Sequence, residues 1–376
     1  MDTEERLMLI ERNTEEVMTK EDLKILLDTG EKLEHYIGFE ISGLMHLGTG
    51  IMCSSKIKDF LDAGAHCRVF LADWHTWINN KLGGDLETIK KVAGGYFTEG
   101  FKASLKCVGA DAEDVDFVLG SDLYHNNDRY WQTMIDVSKN TSLARINRSI
   151  TIMGRKEGEA VDFAQLIYPA MQVADIFIQG LNLPHAGLDQ RKAQVIAREV
   201  AGKLKFSSVK NKAGAVIKPV AVHHHLILGL QKPPIWPVPK DKIQELWSSM
   251  KMSKSIPGSA IFIHDSEEEI RKKLKNAFCP EKIADFNPVL DWAKYLTFVH
   301  QDSLELKRPE KFGGDAVFES YTHLERAFVE GKIHPLDLKN AVAEFLIDFL
   351  KPAREHFEKP KARAMKEELE QMKITR

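Results

Sequence analysis

Apolar residues first recur at helical spacing. Leu7, Leu9, Ile10 and Val17 place residues 1–33 in one or two amphipathic helices, with Thr19-Lys20-Glu21-Asp22 as the start of the second. From Tyr36 the rhythm changes. Tyr36–Glu40, Arg68–Asp73 and Asp116–Gly120 are short β-rich runs, each followed by helical periodicity. Alternation of this kind predicts an α/β fold, a parallel sheet with helices on both faces, and such sheets bind ligands at the carboxyl ends of their strands. Over about 121–165 a helical stretch with Lys139, Arg145, Arg148, Arg155 and Lys156 interrupts the pattern and reads as an insertion. The pattern resumes with an apolar helix Tyr168–Gly180, a Gly-Leu-Asp-Gln turn at 187–190, a helix to about Lys203 and a strand Pro219–Val222. Residues 231–240 are too proline-rich for helix or central strand and form a loop. Beyond about 265 the pattern is almost wholly helical. Its clearest stripe is Leu338, Ala341, Val342, Phe345, Leu346, Phe349 and Leu350, at steps of three and four. Two domains are therefore expected, 1–264 and 265–376.

Composition narrows the class. A chain of 376 residues suits two cores, and 43% hydrophobic with 28% charged residues is ordinary for a folded protein. Lys and Arg number 52 against 55 Asp and Glu, so a net charge of −3 argues against a general nucleic-acid coat protein, although 351–376 is locally basic. Cys53, Cys67, Cys107 and Cys279 form no C-x-x-C pair, which excludes a zinc ribbon and a dense disulfide framework and favours a reducing, cytoplasmic setting. No apolar run approaches the roughly 18 residues of a membrane-spanning helix, so no membrane partner is expected.

The most informative chemistry is Lys251-Met252-Ser253-Lys254-Ser255, two lysines on a Ser/Gly-rich loop at 248–260. Such a pair can hold a polyphosphate and neutralise charge as pyrophosphate leaves. Its partner lies where the first strand turns into the first helix: Gly38, Gly43 and Gly48 let a nucleotide approach backbone, and His46 can donate to phosphate oxygens. Taken separately, these are equally an exposed charged loop and ordinary turn glycines beside a satisfied histidine. Together they read as two halves of one ATP site. Tyr168, Gln172 and Asp175 fall at i, i+4 and i+7 of one apolar helix and can face one pocket. A carboxylate on a helix that apolar wants a partner. Asp73 and His75, at the end of the second strand, either border the pocket or form its turn. His223-His224-His225 has the look of a metal tract but lacks companions at ligand spacing, and no protein-bound metal is predicted.

These motifs resemble those of class I aminoacyl-tRNA synthetases, and in detail the archaeal and eukaryotic type of tyrosyl-tRNA synthetase. The similarity runs through Tyr-Ile-Gly-Phe-Glu at 36–40, His-Leu-Gly at 46–48, Tyr-Pro-x-Met-Gln-x-x-Asp at 168–175 and Gly-x-Asp-Gln-Arg-Lys at 187–192. It continues through Lys-Met-Ser-Lys-Ser at 251–255, Arg-Pro-Glu-Lys-Phe-Gly-Gly-Asp at 308–315 and His-Pro-Leu-Asp-Leu-Lys-Asn-Ala-Val at 334–342. The resemblance implies a Rossmann-like catalytic domain, an α-helical anticodon-binding domain, and a homodimer formed through the 121–165 insertion. It implies L-tyrosine, ATP with Mg²⁺ and tRNA(Tyr) as reactants.

By the same resemblance His46, Gly48, Lys251 and Lys254 are catalytic. ATP would be held by Gly38, His46, Gly48, Thr49, Lys251, Met252, Ser253, Lys254 and Ser255. Tyr36 and Asp175 would meet the tyrosine hydroxyl, while Tyr168, Gln172 and Gln190 hold its ammonium. Phe312, His334, Pro335 and Asp337 would embrace an anticodon base, and Arg191 and Arg148 would reach the acceptor stem. Thr49 departs from the pattern, which often has a second histidine there; a hydroxyl can still bind phosphate or cap a helix. A tryptophan substrate, a small-molecule nucleotidylyltransferase and a noncatalytic RNA-binding relative are the rival readings.

Overall fold

A computed structural model describes residues 1–253 and 258–372. Six strands form one sheet: β1 (Thr14–Met18), β2 (Glu34–Phe39), β3 (His66–Leu71), β4 (Val115–Leu119), β5 (Leu183–Gly187) and β6 (Ala221–His224), in the order β1-β6-β5-β2-β3-β4. All neighbours are parallel except β1, which runs antiparallel to β6. The chain builds outward from β2 through β3 to β4, then crosses to β5 on the other side of β2. The connections diverge between β2 and β5, which opens a crevice at their carboxyl ends.

The sheet has two apolar faces because side chains alternate along each strand. Ile37, Cys67 and Val69 pack with Ile57, Phe60 and Phe101 of the helices Ile51–Asp62 and Thr98–Cys107. Tyr36 and Phe70 point the other way, toward Met171 and Ala174 of the helix Phe163–Ile178 and Tyr130 of Asp128–Lys139. Strands β2, β3 and β4 lie within two residues of where their β-rich runs predict.

Three strands of this sheet depart from the sequence expectation. Residues 14–18 form β1, not part of a helix. Asn13, at a φ of 57°, ends the helical path after the helix Thr3–Glu11, and the five residues then pair with β6. So short a run carries either period, and its Glu15 and Glu16 suit an edge strand. Leu183–Gly187 is β5, although Pro184 and Gly187 argue against a strand by propensity. Tertiary pairing overrides it: β5 meets β2 only at His35↔Leu183 and Tyr36↔Pro184. Strand β6 also runs later than expected, into His224. The second helix begins as expected, with the Thr19 hydroxyl accepting from the Asp22 N–H before Lys20–Asp28.

Beyond residue 265 helices dominate, including Glu267–Lys275, Pro288–Trp292, Pro335–Phe349 and Lys351–Glu358, with one small antiparallel pair, Leu304–Leu306 and Ala316–Phe318. The stripe Leu338, Val342 and Leu346 is wholly buried. It belongs to the same apolar cluster as Ile37 and Ile263.

Candidate active site

The crevice is a cavity of about 1260 Å³ lined from both sides of the β2/β5 divergence. It gathers Tyr36, Gly38, His46, Gly48, Thr49, Tyr168, Gln172, Asp175, Gln190, Arg191, Lys251 and Met252. Those residues are spread over more than two hundred positions in the chain. Lys254 and Ser255 lie outside the described residues. Arg148, Phe312, His334, Pro335 and Asp337 are not among the lining residues.

At the deep end the helix Phe163–Ile178, opened by a capping box between Asp162 and Gln165, presents Tyr168, Gln172 and Asp175 along one face. Asp175 is 1% exposed, and Tyr124 donates its hydroxyl to Oδ1 at 3.1 Å. Burial pushes the Asp175 carboxyl well above the usual range, against the lowering effect of hydrogen bonds from Tyr124 and Tyr130. His75 Nε2 stands 3.7 Å from Oδ2, too far for a hydrogen bond, and burial drops the imidazole to about 3, so it is neutral. Tyr36 faces the same end, and burial followed by the Asp175 charge raises its phenol. A polar floor inside an aromatic cage results. It suits a flat ring carrying one hydroxyl.

Higher in the cavity Tyr168 gives its hydroxyl to Glu40 Oε1 at 2.8 Å, and Asn79 Nδ2 donates to both Glu40 oxygens at 2.9 and 3.2 Å. Gln172 Nε2 donates to Gln190 Oε1 at 3.3 Å, and Gln190 Nε2 to the Ile152 carbonyl at 2.9 Å. The Gln172 Oε1 atom is buried without a partner among the described residues. An oriented amide oxygen and a carboxylate on one wall can take an ammonium group.

At the nucleotide end the Thr49 N–H donates to His46 Nδ1 at 3.3 Å, which places the imidazole proton on Nε2, 3.4 Å from Thr49 Oγ1. Gly48 lies so close to this ring that a Cβ would sit 3.1 Å from it, and a Cβ on Gly187 would meet Leu226 at 2.6 Å. At both places a side chain would crowd its neighbours. Lys251 Nζ forms an ion pair with Asp189 Oδ2 at 2.6 Å. Burial raises the Asp189 carboxyl, but Lys251 outweighs it and the net shift is downward. Arg191 makes two hydrogen bonds to Glu16, at 2.7 and 2.9 Å.

The three consecutive histidines go to three different surroundings. His223 Nδ1 lies 3.0 Å from Glu16; His224 Nδ1 is 2.7 Å from His185, which is 3.2 Å from His35; His225 sits between Glu15 and Asp291. Among the described residues no three His, Cys, Asp or Glu side chains gather as a metal site. Asp73 acts as the turn former: its carboxylate accepts from the Trp74 and Ser121 N–H groups at 2.9 and 3.0 Å. His75 borders the pocket.

Far from the cavity, Phe312 is 61% exposed in the turn Glu310–Phe312. Arg308 ties that turn to the segment before His334, donating to the carbonyls of Gly314 at 2.6 Å and Lys332 at 2.9 Å. His334 caps the helix Pro335–Phe349 by accepting from the Leu336 N–H, with Pro335 in its first turn. Arg148 is exposed.

Sequence reasoning missed Tyr124, Glu40 and the ion-pair partner of Lys251. Tyr124 had a usable signal, since it closes the short helix Gly120–Tyr124 that starts at the carboxyl end of β4. Glu40 was legible only as the last residue of a strand motif, because its partners Tyr168 and Asn79 come from two other elements.

The model of the class I tRNA synthetase family for tryptophan and tyrosine matches residues 28–351. A tyrosine–tRNA ligase of Thermococcus sibiricus is 59% identical over 362 residues, 96% of each chain. The crystal structure of tyrosyl-tRNA synthetase from Pyrococcus horikoshii complexed with L-tyrosine superposes with a TM-score of 0.94 at 56% identity, covering 98% of this chain and 100% of that one. A tryptophanyl-tRNA synthetase from Aeropyrum pernix superposes at 0.64 with 18% identity over 93% of this chain and 84% of that one, a likeness of fold.

Proposed function

Since the chain belongs to the class I tRNA synthetase family of the tryptophan and tyrosine enzymes, and its activity is tyrosine–tRNA ligation, we propose how its residues divide that work. Asp175 and Tyr36, braced by Tyr124, receive the phenolic hydroxyl of L-tyrosine. The ammonium group goes to Gln172 Oε1, supported by Gln190, Tyr168 and the Glu40 carboxylate behind it. With both ends held, the tyrosine carboxylate points toward the nucleotide end and attacks the α-phosphate of ATP. The bond to the β-phosphate breaks, pyrophosphate leaves, and tyrosyl-adenylate forms. A terminal ribose hydroxyl of tRNA(Tyr) then attacks the mixed anhydride and releases AMP.

His46, with its proton on Nε2, donates to a phosphate oxygen, and Thr49 holds the tautomer that makes it a donor. Gly38 and Gly48 give ATP access to backbone. Lys251, with Lys254 next along the motif, counters the charge that builds on the departing pyrophosphate, where such groups act most strongly. Met252, Ser253 and Ser255 complete the loop on the nucleotide. Mg²⁺ arrives with the ATP phosphates and is not assigned protein ligands.

The same reading gives residues 265–376 the anticodon, with Phe312 stacking on an unstacked base and Asp337 accepting its hydrogen bonds beside His334 and Pro335. Arg191 and Arg148 are assigned to the acceptor stem. A homodimer through residues 121–165, where Ile135 and Leu143 are 54% and 64% exposed, would let one tRNA touch both subunits. A cytoplasmic setting fits the four free cysteines, and among the described residues no helix is long and apolar enough to cross a membrane.

The observation that carries the substrate assignment is the buried Asp175 carboxyl on a floor of tyrosine hydroxyls. Phenylalanine would leave that floor unpaired. Exchange of labelled pyrophosphate into ATP, measured with tyrosine, phenylalanine and tryptophan in turn, tests it. Exchange with tyrosine alone is expected; exchange with tryptophan in its place overturns the assignment.

A further inference from the structure

The segment bearing Lys251 has no strand of the main sheet to lean on. It lies instead on a short strip, residues 227–229. Gly229 N–H donates to the Met250 carbonyl at 2.8 Å and Met252 N–H to the Ile227 carbonyl at 2.8 Å, with Leu228 opposite Lys251. In that antiparallel arrangement the N–H and C=O of Leu228 point away from the lysine segment. Both are taken by the helix Pro288–Trp292: Leu228 N–H donates to Asp291 Oδ2 at 2.9 Å, and Trp292 Nε1–H donates to the Leu228 carbonyl at 2.8 Å.

Asp291 has a second grip. Its Oδ1 accepts from His225 Nε2 at 2.8 Å, and His225 Nδ1 donates to Glu15 Oε1 of β1 at 2.5 Å. With both ring nitrogens donating to carboxylates the ring is an imidazolium. It stacks on Tyr295 at 3.8 Å and 11° between planes, and meets the edge of Trp247 at 5.9 Å. Trp247 belongs to the helix that leads into the lysine motif, and its carbonyl accepts from the Lys251 N–H at 3.0 Å. One carboxylate in the helical region therefore fixes the lysine segment from below, through Leu228, and from the side, through His225 and Trp247.

We propose that Asp291 is a positioning residue for tyrosine activation, holding the Lys251 segment in register through Leu228 and His225. The inference rests on the assignment of Lys251 to pyrophosphate departure. It makes the helical region beyond residue 265 part of the activation machinery, with no contact to either reactant. A catalytic group displaced by about 1 Å can lose roughly a hundredfold in rate.

The test is a cycle of Lys251→Ala, Asp291→Ala and the double variant in the full chain, followed by pyrophosphate exchange at saturating tyrosine and ATP. Asp291→Ala is expected to lower kcat by about 10- to 100-fold while KM for tyrosine stays within about twofold. Asp291→Asn, whose amide oxygen still accepts from Leu228, should lose less, and it replaces the alanine variant in the cycle if that chain does not fold. The double variant should be close to Lys251→Ala alone. Losses that multiply, or a parallel rise in KM for tyrosine, overturn the proposal. Full exchange activity in Lys251→Ala overturns the assignment of Lys251 itself.

Discussion

The ammonium of Lys251 and the carboxylate of Asp189 stand 2.6 Å apart across the nucleotide end of the cavity, each about a third exposed. The lysine is thus held by a group from the turn after β5. Lys251→Ala should lower the maximal rate of pyrophosphate exchange by roughly a hundredfold, as for loss of one preorganised charge at a developing anion. Asp189→Ala leaves the lysine in place but unguided, and a smaller fall, about tenfold, is expected. Equal rates in wild type and Lys251→Ala would contradict this role.

Asp175→Ala removes the buried acceptor for the phenol. The ratio of kcat/KM for tyrosine over phenylalanine should fall by roughly 5- to 150-fold, the cost of leaving a buried polar group without its partner. Tyr124→Phe removes only the donor that braces Asp175, so KM for tyrosine should rise by about five- to tenfold with little change in kcat. Steady-state exchange kinetics with both amino acids reads both effects. An unchanged preference in Asp175→Ala would exclude that residue from selectivity.

Thr49 stands where the family often has histidine, and its contacts run to His46. Thr49→Ala should slow tyrosine activation by about five- to tenfold, the value of one modest hydrogen bond, and Thr49→Ser should restore most of it. The backbone N–H that fixes His46 Nδ1 survives in both. Equal losses in alanine and serine variants would remove the hydroxyl from the argument.

His225 links charge to stability. Burial opposes its protonation, but Asp291 and Glu15 together raise it from 6.5 to about 9, with Lys294 beside Glu15 and Tyr295 against the ring. A raised folded-state pKa adds stability that is full below about pH 6.5 and is lost as pH climbs through about 9. The contribution is on the order of 3 kcal/mol. Thermal unfolding of wild type and His225→Gln should therefore differ most at pH 6 to 6.5 and converge above pH 9. A constant difference would show that the imidazolium is not its source.

Much of this was legible in sequence because the chemistry is local. Tyr168, Gln172 and Asp175 share a helix face by their spacing alone, and the glycines around His46 mark a strand-to-helix turn whatever surrounds it. The stripe from Leu338 to Leu346 announced its helix by period. The family and the substrate class came from the resemblance of the motifs to those of tyrosyl-tRNA synthetases.

Tertiary structure decided what depends on partners distant in the chain. Whether residues 14–18 are helix or strand turned on β6 being there to pair with them, and Pro184 entered a strand because the sheet needed a neighbour for β2. Tyr124 became the brace of Asp175, and Glu40 the acceptor for Tyr168, only when separate elements met. The three histidines look alike in sequence, yet burial lowers His224 to about 3 while Asp291 and Glu15 raise His225 to about 9. Periodicity and turn chemistry are fixed by neighbours within a few residues, so a sequence carries them openly. Charge state, register and the seat of Lys251 are set by groups tens to two hundred residues away in the chain, and folding alone brings those together.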